Sequence, residues 1–191
     1  VYEDKRKKRM PRWIVGLIML LLLSYPAFSY DIFNYILTAK VMYFYGENPY
    51  VVMPIEISNE PMLAFTRAAN KLALYGPTWI ILSVFPYLVG MNNILASILS
   101  FKVFVAAFYV FFSYLIYRKT KDVGQTLFFA LNPLVLIEIL VSGHNDIVMM
   151  TLAISGLFLW RRSDPRHKAA GLILLLSSIL VKGASIALLP L

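Results

Sequence analysis

An all-α, polytopic membrane protein is the fold class that the sequence predicts, on three observations. Hydrophobic residues fill 60% of the 191 positions, only 15% are charged, and mean hydropathy is +0.71, which is too apolar for a soluble domain of this length. The apolar residues gather into runs that approach the length needed to span a bilayer. Lys and Arg cluster beside those runs, as they do in the cytoplasmic loops of membrane proteins. The formal net charge of +8 is therefore read as topology, and no nucleic-acid partner is expected. With no cysteine there is no disulfide framework and no thiolate site. The chain opens on Val1 and ends inside an apolar run at Leu191, so a fragment of a longer protein is expected.

The domain plan is a basic cytoplasmic tail over 1–12 and a partial transmembrane domain over 13–191, with an outer loop at 31–75. Lys5, Arg6, Lys7, Lys8, Arg9 and Arg12 precede the run Trp13 to Phe28, which the positive-inside rule sends outward. A secretory signal peptide ending near Ala27 and Ser29 would look similar, but several later spans favour an uncleaved first helix. In the next stretch Asp31, Asn34, Thr38 and Tyr45 share one helical stripe, while Ile32, Phe33, Ile36, Leu37, Val41 and Phe44 cover the other. That pattern predicts a helix lying in the interface plane, with Asp31 at head-group level. Gly46 then stops it, and Asn48-Pro49 turns the chain.

Asn59-Glu60-Pro61 reads as the start of a short helix through Leu74, with Arg67 and Lys71 on one face. Tyr75 to Gly90 is apolar but broken by Pro77 and Pro86, too short for a comfortable span. Charge sets its topology. Arg118, Lys119 and Lys121 follow the run Ile94 to Tyr117, and Arg161, Arg162, Arg166 and Lys168 follow Ile147 to Trp160. Both clusters belong inside, so Pro77 to Leu88 is expected to dip in as a re-entrant segment. Val123 to Ser142 then runs outward, broken at Asn132-Pro133. The turn Gly143-His144-Asn145-Asp146 leads inward again, and the last run climbs from Ala169 through Lys182.

On this plan the spare polar groups meet at the outer face: Asp31, Glu138, His144, Asn145, Asp146 and Lys182. A lysine inside an apolar helix is costly and marks a functional position by default. Plainer roles exist for each residue. Asp31 could cap its helix, Asn145 and Asp146 could cap the one that follows, His144 could be idle in a loop, and Lys182 could snorkel or pair with Glu138.

The order of pieces resembles the GT-C superfamily of integral-membrane glycosyltransferases, especially polyprenyl-phosphate-mannose-dependent mannosyltransferases and GPI mannosyltransferase I. The resemblance is carried by Asp31 after the first helix, Gly46-Glu47-Asn48-Pro49-Tyr50, Tyr75-Gly76-Pro77, Leu131-Asn132-Pro133-Leu134, Gly143-His144-Asn145-Asp146, and Lys182 followed by Leu188-Leu189-Pro190. It implies a sugar, mannose first, moved from a polyprenyl-phosphate donor to a glycan or glycolipid hydroxyl on the outer face of a multi-pass membrane protein. It implies Asp31 as general base and Lys182 with His144 on the donor phosphate. Asn34, Asn48, Tyr50, Tyr75, Asn145 and Asp146 would position the substrates. Relatives often carry an acid-x-acid pair where Ser29-Tyr30-Asp31 has a single acid, which weighs against a divalent metal, and no cofactor is assigned.

Two other classes compete. A transporter or lipid flippase also uses broken helices and midmembrane charges, although no inverted repeat is visible. A non-catalytic subunit of a membrane assembly would have no use for Asp31 facing Tyr75-Gly76-Pro77 on the outer side.

Overall fold

The computed structural model describes residues 12–188, and every regular element among them is helical. The basic tail up to position 11 and the Leu189-Pro190 dipeptide fall outside the described residues. In chain order the helices are α1 (Arg12–Leu23), α2 (Asp31–Tyr43), α3 (Pro77–Leu82), α4 (Val84–Gly90), α5 (Ile94–Thr120), α6 (Val123–Ala130), α7 (Pro133–Val135), α8 (Asp146–Trp160) and α9 (Pro165–Ile179). Short 3₁₀ turns occupy Pro54–Glu56, Pro61–Phe65 and Gly183–Leu188.

Among the described residues one helix, α5, is long and apolar enough to cross a membrane. Its 27 residues rise about 40 Å, more than the roughly 30 Å of hydrocarbon. Its ends are set by sequence: the Asn93 side chain accepts from the Ala96 N–H, and Lys121 leaves in the left-handed conformation. A second span is available only if α6 and the segment Pro133–Val141 are taken together across a 49° bend. Asn132 caps the second limb by accepting from the Leu134 N–H, and Pro133 cannot donate to a continuing helix. Beyond α7 the chain widens into a π-helical turn, Leu136–Val141. The helices Trp13–Leu23, Pro77–Gly90 and Asp146–Trp160 are apolar but shorter. The expected all-α class is thus present, with one clear span among the described residues.

The ends of the helices sort into two groups. Lys119 stacks on the Phe158 ring at 3.9 Å, so the C-terminal ends of α5 and α8 lie side by side with their basic residues. α8 and α9 pack backbone to backbone, since a Cβ on Gly156 would come within 2.8 Å of the Gly171 carbonyl oxygen. α9 therefore returns from the basic loop toward the start of α8, where the polar residues gather.

Four expectations change. α2 is not a surface helix with one wet face, because residues on both its stripes, from Ile32 to Val41, are buried. Its polar stripe is covered by the following loop: Thr66 donates to Asn34, Tyr45 donates to Glu60, and Lys40 pairs with Glu60 at 2.8 Å. The helix expected through Leu74 ends at Phe65, and Arg67 lies over the Tyr30 ring at 4.1 Å instead of sharing a face with Lys71. The first helix stops at Leu23 rather than Phe28. Finally, α9 ends at Ile179, so Lys182 stands in the turn beyond it, not within an apolar helix.

Candidate active site

Asp31 is the first residue of α2, one place past its cap, and its own N–H is taken up by the Ser29 hydroxyl at 3.1 Å. Its carboxylate is left to face outward, 36% exposed, beside His144 (Oδ2 to Nδ1 3.4 Å). The capping role open to Asp31 is thereby excluded. The same holds at α8: Asn145 occupies the cap position with no side-chain hydrogen bond to the helix. The positive ends of α2 and α8 both point toward this cluster and favour its negative charge.

His144 is held among three carboxylates: Asp31, Glu138 (Nε2 to Oε2 3.3 Å) and Asp146 (Nδ1 to Oδ2 3.8 Å). Lys182 reaches the other oxygen of Asp146 at 2.8 Å, and both partners are nearly half exposed. Tyr75 closes one side. Burial, and after it the Asp31 charge, raise its phenol pKa, so it stays protonated. Its ring sits edge-on to Tyr35 at 4.6 Å. Tyr35 is itself pushed up, first by burial, and its hydroxyl accepts the Asn145 N–H at 3.3 Å.

The Tyr75-Gly76-Pro77 element is fixed by a backbone seam to the end of α9. Gly76 N–H donates to the Val181 carbonyl at 3.2 Å and Thr78 N–H to that of Leu180 at 3.0 Å. A Cβ on Gly76 would lie 2.0 Å from the Leu180 oxygen, so only glycine fits. That seam carries Lys182 toward Asp146.

Most residues assigned from sequence come together here: Asp31, Asn34, Tyr75, His144, Asp146 and Lys182. Two do not reach the cluster. Asn48 accepts from the Tyr50 N–H at 3.0 Å and shapes its own turn, while Tyr50 donates to the Tyr75 carbonyl at 2.7 Å and braces it from behind. Asn145 is completely buried with both side-chain polar atoms unpartnered among the described residues, so it cannot touch a substrate in this conformation. Lys182 pairs with Asp146, not with Glu138. The role of Glu138 in gripping the His144 ring was not visible in sequence, because a π turn shifts the face on which a side chain emerges. Among the described residues no group of three or more His, Asp or Glu side chains is arranged to hold a metal ion.

Basic residues thus group at one end of the helical chain, and carboxylate, imidazole and ammonium converge at the other. Residues 3–191 match the MptA/B family model, described as the N-terminal domain of alpha-(1->6)-mannopyranosyltransferase, and the chain belongs to that family. It is similar to alpha-(1->6)-mannopyranosyltransferase A of Mycobacterium tuberculosis, with 28% identity over 181 residues covering 89% of this chain and 33% of the relative. The chain thus spans about a third of the length of the curated relative it matches. No solved structure matches.

Proposed function

We propose that this chain is the N-terminal, site-bearing part of a mannosyltransferase that takes mannose from a polyprenyl-phosphate donor and places it on a glycan or glycolipid hydroxyl at the outer membrane face. One observation carries the reading: a half-open Asp31 carboxylate, a protonated Tyr75 and the Lys182 ammonium line one cluster at the end of the fold opposite Lys119 and Phe158. The match to the mannosyltransferase family supports the sugar.

The chemistry follows from the charges. As the acceptor oxygen attacks the anomeric carbon, its proton passes to Asp31, a base contribution of about two to four powers of ten in rate. The bond from the anomeric carbon to the phosphate oxygen breaks, and its electron pair leaves with the phosphate. Lys182 stands at the exposed rim, where it offers a cation to that developing charge. Asp146 holds the ammonium in place until the donor arrives. The loop over α2, tied by Tyr50 to Tyr75 and by Thr66 to Asn34, keeps the acceptor side fixed relative to the base.

The test is transfer of labelled mannose from a polyprenyl-phosphate donor to an α-mannoside by the full-length protein, with and without Asp31→Asn. The variant should keep fold and membrane insertion, since the carboxylate caps no helix, and lose at least about a hundredfold in rate. Transfer by Asp31→Asn at the wild-type rate would overturn the base assignment.

A further inference from the structure

Residue 138 grips residue 144 twice. Its backbone carbonyl accepts the His144 N–H at 3.0 Å, and its carboxylate lies 3.3 Å from the ring Nε2. The double hold is a product of the π turn, which brings Glu138 one step closer to the Gly143 corner than an α-helix would. Gly143 itself adopts φ +75° and would press a Cβ to 3.1 Å from Ile32 of α2. The His144 ring is therefore clamped between the π turn and the start of α2, with one nitrogen toward Glu138 and the other toward Asp31.

We propose that Glu138 is a positioning residue of this site: it holds His144 with Nε2–H directed at its own carboxylate, which leaves the Nδ1 lone pair facing Asp31 as the next stop for the acceptor's proton. The inference rests on the transferase reading. In the step, the acceptor O–H breaks and its proton moves to Asp31, while the new bond to the anomeric carbon forms and the phosphate departs with its electron pair. The proton then crosses 3.4 Å to Nδ1, giving an imidazolium whose Nε2–H stays on the Glu138 carboxylate, and it leaves from Nδ1 to water past the half-exposed Asp146, which restores the same tautomer. Asp31 is thereby returned to the carboxylate for the next turnover. The orienting logic is that of an acid, an imidazole and a second acid in line, in which the outer acid fixes the tautomer.

The groups facing the ring support a proton role over a phosphate role. Asp31 approaches from α2, Glu138 from the π turn and Asp146 from α8, while the Lys182 ammonium lies on the other oxygen of Asp146, at the exposed rim and not against the ring. An anionic phosphate brought against His144 would meet three carboxylates, whereas a proton on the ring finds a carboxylate at each nitrogen. Tyr75 and Tyr35, whose phenols are raised first by burial and then in part by the Asp31 charge, stay protonated and compete for no proton.

The experiment uses the full-length protein with a polyprenyl-phosphate mannose donor and an α-mannoside acceptor, comparing wild type, Glu138→Gln, Glu138→Asp and His144→Gln across pH. Glu138→Gln should lower kcat about tenfold to a hundredfold with both KM values within about twofold of wild type. Its pH–rate profile should change shape, and Glu138→Asp should recover part of the loss. His144→Gln should likewise lower kcat and leave donor KM alone. Wild-type kcat and pH profile in Glu138→Gln would overturn the inference, and so would a raised donor KM with intact kcat in His144→Gln. If Asp31→Asn is inactive while Glu138→Gln runs at full rate, only the positioning role falls. If the wild type transfers no mannose, the transferase reading fails and takes this inference with it.

Discussion

The Lys182 ammonium stands 2.8 Å from the Asp146 carboxylate, joining the turn after α9 to the first residue of α8 across the rim of the site. The pair is nearly half exposed on both sides, so it contributes no more than about 1 kcal/mol to stability. Lys182→Met should therefore leave the unfolding midpoint in detergent almost unchanged. Its effect should fall on the donor, with a raised donor KM and a smaller stabilising shift when polyprenyl-phosphate mannose is added. A clear loss of stability with an unchanged donor shift would make the lysine structural.

Lys40 and Glu60 form a second pair, this one almost wholly buried. Burial alone would push Glu60 up, but hydrogen bonds from Lys40, Tyr45 and the Met62 N–H outweigh it and hold the carboxyl below its ordinary 4.5. Donating to Glu60 also raises the Tyr45 phenol to about 12. A depressed carboxyl contributes stability that is complete above 4.5 and is lost as pH falls through the folded value. The thermal midpoint should thus decline as pH is lowered from about 5, and that decline should flatten in Glu60→Gln. At pH 7 the same variant should cost about 3 to 5 kcal/mol, because Lys40 is left buried without its partner.

Gly76 has an ordinary φ of −70°, so its requirement is space rather than conformation. Gly76→Ala would drive a methyl into the Leu180 carbonyl and open the seam that delivers Lys182. Both stability and transfer should drop, and donor KM should rise as it does in Lys182→Met. A variant with wild-type donor KM would show that the seam does not place the lysine.

The orientation expected from charge is also open to measurement. Lys119 lies at the end of α5 against Phe158 of α8, and the basic cluster there leads to the expectation that this end faces the cytoplasm. A cysteine at 119 in the full-length protein should resist an impermeant thiol reagent added from outside and react once the membrane is permeabilised. Labelling from outside would invert the topology and, with it, the outer-face placement of Asp31.

Part of the helical plan was legible because breakers act locally: Asn132-Pro133 interrupts the run from Val123, and the Asn132 side chain caps the limb that follows. The caps at Asn93, Asp122 and Asp164 emerge only in the structure. Asp31, His144, Asp146 and Lys182, expected on one face, do lie together. What was hidden depends on contacts distant in sequence. The polar stripe of α2 looks like a wet face until Glu60, twenty residues on, supplies the partner for Lys40. Periodicity also cannot announce a π turn, so the aim of Glu138 was lost. The ammonium that meets the cost of an apolar helix is Lys102, inside α5, and not Lys182, which lies beyond the end of α9.

Lys102 sits in α5 with no exposed surface. Its ammonium donates to the Leu21 carbonyl at 2.9 Å and to the Ser24 carbonyl at 2.5 Å, so its compensation comes from backbone oxygens at the end of α1. The Leu21 carbonyl, in the last turn of α1 at the negative end of its dipole, also accepts from the Ser24 N–H and hydroxyl, so the Ser24 carbonyl is the one that depends on the lysine. Lys102→Met relieves a buried charge but strands the Ser24 carbonyl, and the two effects oppose. The stranded acceptor should prevail, since a buried unsatisfied group costs about 1 to 3 kcal/mol and the lysine links two helices. Its stem also lies 3.6 Å from where a Gly143 Cβ would stand, directly under the His144 turn. Lys102→Met should thus lower the unfolding midpoint in detergent and reduce kcat together. A more stable variant, or one destabilised with full activity, would show that the end of α1 and the His144 turn are not held by the same lysine.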